Sequence, residues 1–217
     1  MKKIKISIFS IFTIGVLSWG IISCNSEEST VPQQEILNNQ AKTQDFKAQD
    51  LASDSDFITY VSLSAEEAKL PKNHEALTKI MKDGTVDTEE IEQLPFVIGY
   101  DTKDLFIEVQ QKKLNALNAA DVKWNLKKMD PILLTDAILL VWDQIDYMSL
   151  SDSNLCKRER RNCYGIANST AIGAHFACGT LDLTIAAGIV CHGAVLAAHY
   201  YMNDNCDIAY ERCIKDK

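Results

Sequence analysis

Six cysteines gather in the last third of this 217-residue chain, at positions 156, 163, 178, 191, 206 and 213, with 6, 14, 12, 14 and 6 residues between them. Outside the cytosol, thiols in even number pair by oxidation, and six of them allow fifteen connectivities. The spacing reads the same in both directions. It suggests a nested set, Cys156–Cys213, Cys163–Cys206 and Cys178–Cys191, closing an antiparallel helical hairpin. At 100° per residue, steps of 7 and 15 return each cysteine to within about 60° of one helix face. Gly179-Thr180-Leu181-Asp182, however, has the composition of a turn and would centre the hairpin near residue 181. Either residues 179–190 make a wide loop or the pairing differs, so the connectivity stays open. His175, His192 and His199 lie among these cysteines, and His175 with Cys178 has the i, i+3 spacing that can hold zinc. Thiols in disulfides cannot ligate and CxxC does not occur, so the histidines are expected in the core or on the surface, with no metal.

The carboxylates offer less. Glu89/Glu90 and Asp143/Asp146 are ordinary helix-surface spacings with no candidate nucleophile beside them, and HExxH, GxSxG, a Walker loop and GxGxxG do not occur. No catalytic residue and no cofactor is expected. Asp83-Gly84-Thr85-Val86-Asp87-Thr88-Glu89-Glu90 resembles the second half of an EF-hand loop. Its first and third ligand positions would be Lys79 and Met81, a cation and a thioether, so a capped turn is the expected structure.

At the amino terminus Lys2, Lys3 and Lys5 precede a largely apolar stretch from Ile6 to Ile22, which ends at Ile21-Ile22-Ser23-Cys24. This resembles a bacterial lipoprotein signal peptide. The resemblance implies cleavage before Cys24, a diacylglyceryl group on its sulfur and an acyl group, such as palmitate, on its new amine. Several acyl chains hold a protein stably on a membrane where one would not. Export to the cell envelope and an outer-membrane anchor follow as expectations. Asn25-Ser26-Glu27-Glu28 looks like the acidic tract that carries some lipoproteins to the outer surface.

The elements that must position the cysteines come next along the chain. Formal charge is −8, and −11 beyond the first 23 residues, which disfavours nucleic acid as a partner. Residues 24–155 hold 12 Lys/Arg against 24 Asp/Glu, whereas residues 156–213 hold five of each. Residues 24–56 read as a flexible polar tether with a reach of roughly 30 Å. Residues 57–150 read as an acidic α-helical region. Ser64-Ala65-Glu66-Glu67 has the form of a capping box, Asn73 and Thr88 are expected caps, and Pro95 is expected to end a helix. Asp101 precedes a longer helix with the apolar stripe Phe106, Val109, Leu114 and Leu117. Pro131 starts another, from about Asp130 to Met148, apolar on more than one face and so deeply buried.

Residues 151–217 form the cysteine-rich module. Between Cys163 and Asn203 the only formally charged residue is Asp182, and Leu183 to Met202 is long enough to cross a bilayer. Ala186, Ala187, Gly188, Gly193, Ala194, Ala197 and Ala198 permit close helix packing. Cys178-Gly179-Thr180-Leu181-Asp182-Leu183-Thr184-Ile185, the small apolar run to Cys191 and the stretch from Asp207 to Cys213 resemble the cysteine-rich domain of halocin-like bacteriocins. That resemblance covers about 58 residues and implies an antimicrobial module that perturbs competitor membranes, so that a target-cell membrane becomes a partner. This chain has fewer cysteines than that family and a lipoprotein front end. Lys157-Arg158-Glu159-Arg160-Arg161 reads as a solvated basic loop, or as a patch steering the module to anionic lipid. The expected fold is all-α, a small helical domain followed by a disulfide-stapled apolar hairpin. The other functional reading is a non-catalytic surface or periplasmic interaction protein in which that hairpin is a stable core. Helices covering its apolar faces would favour this second reading.

Overall fold

The computed structural model describes residues 5–7, 48–82, 85–145, 147, 155–178 and 186–216. Cys24, the tether before residue 48, Asp83-Gly84 and the turn at 179–185 lie outside the described residues. Among the described residues the fold is all-α apart from two three-residue strands. In chain order it comprises β1 (Lys5–Ser7), α1 (Ser55–Ala68), α2 (His74–Met81), β2 (Thr85–Asp87), α3 (Thr88–Val97), α4 (Lys103–Trp124), a 3₁₀ turn (Leu126–Lys128), α5 (Pro131–Gln144), α6 (Leu155–Ala177) and α7 (Ala186–Lys215). β1 and β2 pair antiparallel, Ile6 opposite Val86, so a short sheet exists where the sequence pointed to helix alone. A three-residue polar–branched–polar strand is too short to read until its distant partner is known.

Helix starts follow side-chain chemistry, though not always at the expected residue. Asp54 begins α1 by accepting from the N–H groups of Asp56 and Phe57. Ser64 lies inside that helix and donates to the Tyr60 carbonyl, so Ser64–Glu67 is not a capping box. Asn73 caps α2 as expected. The cap of α3 is Asp87, one residue before Thr88, and its capping box is closed by Glu90. Thr102 rather than Asp101 caps α4. Pro95 does not stop α3, which runs to Val97. Near a helix end proline costs one hydrogen bond, and the chain turns instead at Gly99, whose φ of 96° suits glycine. A Cβ there would also stand 2.8 Å from the Pro71 carbonyl oxygen. Helix is already present at residues 48–52, within the stretch read as tether, and Ala48, Leu51 and Ala52 are buried at helical spacing.

Two large apolar clusters make the interior. One joins Ala48–Ala52, α1, the second half of α4 and α5 with Tyr164 and Ile172 of α6 and Cys206 of α7. The other joins α2, β2, α3 and Phe106 with Val190, Ala194 and Leu196–Tyr200 except His199, all of α7. α7 is therefore the central helix, and every residue from His192 to Tyr200 is buried. Its small residues allow this, since a Cβ at Gly193 would stand 2.8 Å from Ile91 Cγ2. α6 packs on α5, where Gly165 meets Leu139 and Thr135.

Candidate functional site

The cysteines pair as the nested set, Cys156–Cys213, Cys163–Cys206 and Cys178–Cys191, with Cα–Cα distances of 5.7, 5.8 and 5.8 Å. α6 and α7 are thus stapled at both ends and between. The displaced turn is reconciled by the helix boundaries: α6 ends at Ala177, while α7 already begins at Ala186, five residues before Cys191. At 1.5 Å per residue, α7 overshoots its innermost bridge by roughly 7 Å. Cys178 is consumed by Cys191, which removes it as a zinc partner for His175. Among the described residues no group of three or more His, Cys, Asp or Glu is placed to hold a metal ion.

The bundle buries several polar residues, among them Glu67, Gln110, Lys113 and three histidines. On α4, Gln110 and Lys113 fall between Phe106 of one cluster and Leu114 of the other. On α1, Glu67 follows Ala65 and is 3% exposed. Its carboxylate accepts from the Tyr100 hydroxyl at 2.6 Å, from the Gln110 amide and from the Lys113 ammonium. Lys113 is itself buried, and its charge stands 5.6 Å from the centre of the Tyr60 ring. Burial pushes the hydroxyls of Tyr60, Tyr100 and Tyr200 upward, and the Glu67 charge adds to each. All three stay protonated.

α6 and α7 contribute the buried histidines. His175 Nδ1 of α6 lies 2.9 Å from His192 Nδ1, a geometry in which one ring donates and the other accepts. His199 Nε2 meets the Asn203 amide at 3.2 Å, and the Asp204 carboxylate is paired with His74 Nδ1. Burial, then the neighbouring His192, Lys113 and His199, hold His175 well below its ordinary value. Burial, with Lys113 and Lys72, brings His199 down to about 3. At neutral pH the His175 and His199 rings are uncharged and sealed from solvent.

The arginines of α6 pair with α5 and α7. Lys157–Arg161 is the start of α6, not a loop: Arg161 donates to the Leu139 carbonyl and Asp143, and Arg160 pairs with Asp207 at 2.6 Å. Asp207 also accepts from the Tyr164 hydroxyl. Tyr147 is raised to about 12 by burial, against the pull of Arg160 and with the push of Asp207. The EF-hand-like stretch spends Asp87 and Glu90 on the cap of α3. A shallow groove lies elsewhere, lined by Gln49, Ala52, Ser53, Leu140, Asp143 and Gln144.

Sequence reasoning singled out the three histidines but missed Glu67, Gln110 and Lys113. A signal was present. Phe106, Gln110, Lys113 and Leu117 have spacings of 4, 3 and 4, so two polar residues occupy the buried stripe of α4. Comparison with protein-family models, curated proteins and solved structures finds no match to this chain.

Proposed function

We propose that this chain is an exported, lipid-anchored protein of the cell envelope that acts by binding or supporting partners rather than by catalysis. One observation carries the choice between the two functional readings. The described centre of the apolar run that could have entered lipid, His192–Tyr200, is buried, with Val190, Ala194, Leu196–Ala198 and Tyr200 lying against α2, β2 and α3. No helix among the described residues is long and apolar enough to cross a membrane. Exposing Val190, Val195, Leu196 and Tyr200 together would cost on the order of 10 kcal/mol, so membrane perturbation requires dismantling the fold first. The lipoprotein character rests on Lys2–Lys5, the apolar stretch and Ser23-Cys24.

Two measurements on the whole oxidised protein test this reading. Palmitate should label the wild type and not Cys24→Ser. The folded protein should not release dye from anionic vesicles. Leakage by the intact protein would restore the membrane-perturbing reading, and an unlabelled Cys24 would remove the anchor.

A further inference from the structure

β2 pairs along its edge with a strand drawn from residues that processing at Cys24 would remove. Thr85, Val86 and Asp87 stand opposite Ser7, Ile6 and Lys5 in an antiparallel ladder, and α7 lies against both strands. Val86 is fully buried in the cluster that holds Leu77, Ile80, Ile91 and Leu94. The edge is therefore one rim of an apolar seat. We propose that, in the processed protein, this edge takes up an extended strand of a partner protein, and that Lys5–Ser7 holds the place beforehand. The inference rests on the lipid-anchor reading, because it is cleavage that vacates the edge.

Three observations define the guest. A three-residue ladder supplies main-chain hydrogen bonds that any extended peptide can satisfy, and a strand edge left bare is a ready template for pairing. The register places an aliphatic residue opposite Val86 and a small one opposite Thr85. Asp87, Glu89 and Glu90 follow the strand, and the resident segment brings Lys5 opposite Asp87. The guest is thus an extended basic–aliphatic–small sequence.

The experiment uses a fluorescent peptide copying Lys2–Phe9, titrated by anisotropy into the processed protein in detergent, with intact mass establishing that the chain begins at acylated Cys24. Saturable binding is expected, together with slowed amide exchange at Thr85–Asp87. Unprocessed Cys24→Ala, which keeps its own strand, should bind at least about ten-fold more weakly, as should a peptide carrying Ile6→Pro. The proposal is overturned if processed protein binds nothing up to about 1 mM peptide, or binds a scrambled peptide equally well. It is equally overturned if a second copy or the chain's own tether protects the edge without peptide. A mass showing residues 1–23 retained would sink the anchor and this proposal together, whereas correct processing without binding sinks this one alone.

Discussion

Glu67 and Lys113 are each almost fully enclosed, and neither would be tolerated without the other. Removing one partner leaves a bare charge in the interior, so Lys113→Met should cost about 3–5 kcal/mol of unfolding free energy. Adding Glu67→Gln to that variant removes the stranded charge while keeping an acceptor for Tyr100, and urea midpoints should recover part of the loss. The histidines give a second prediction, on pH. His175 and His199 are held below their unfolded value near 6.5, so the unfolded chain binds protons first as pH falls. Stability should be flat above about pH 7 and decline as pH drops from about 6.5, with His199 contributing down to its folded value of about 3. The loss from His199 should reach about 2 kcal/mol by pH 5. His192, Lys113 and Lys72 face the same pocket of charge and oppose protonation. Denaturant midpoints at pH 7.5 and 5 should differ less in His199→Gln than in wild type, and an unchanged difference would contradict this account.

Among the elements, α7 depends on close approach more than on amphipathicity. Gly193→Ala should destabilise by about 1–3 kcal/mol through the clash with Ile91, and Ile91→Val in the same chain should restore part of it in thermal melts. The nested bridges make a less obvious prediction. Cys156–Cys213 spans 57 residues and Cys163–Cys206 spans 43, so with the second closed the first constrains only 14 more. Replacing Cys156 and Cys213 by serine should therefore cost about 3 kcal/mol, close to the innermost pair, rather than the about 4 kcal/mol its full span suggests. Element existence was largely legible, because capping chemistry and apolar periodicity are local. Asn73 and Pro131 acted where local rules placed them. Ser64 did not, since Asp54 had already started the helix ten residues earlier and Tyr60 offered a carbonyl. β2 was illegible because its partner, Lys5–Ser7, is remote from it in the sequence.

At the scale of the whole molecule, the change in charge and cysteine content near residue 155 does not separate two interiors. Tyr164, Ile172 and Cys206 complete the cluster begun by α1, α4 and α5, and α7 completes that of α2 and α3. Composition reports what surrounds each residue type on average, and it cannot say which apolar faces meet. That is why the hairpin's greasiness pointed equally to lipid and to protein. A chain lacking residues 186–217 should accordingly lose cooperative unfolding throughout, with shallow melts by circular dichroism rather than a stable remnant. Central α7 follows the other described helices in the chain, and its staples close only under oxidising conditions. Until that helix docks neither apolar cluster is closed, so forming the bridges and completing the interior become a single event.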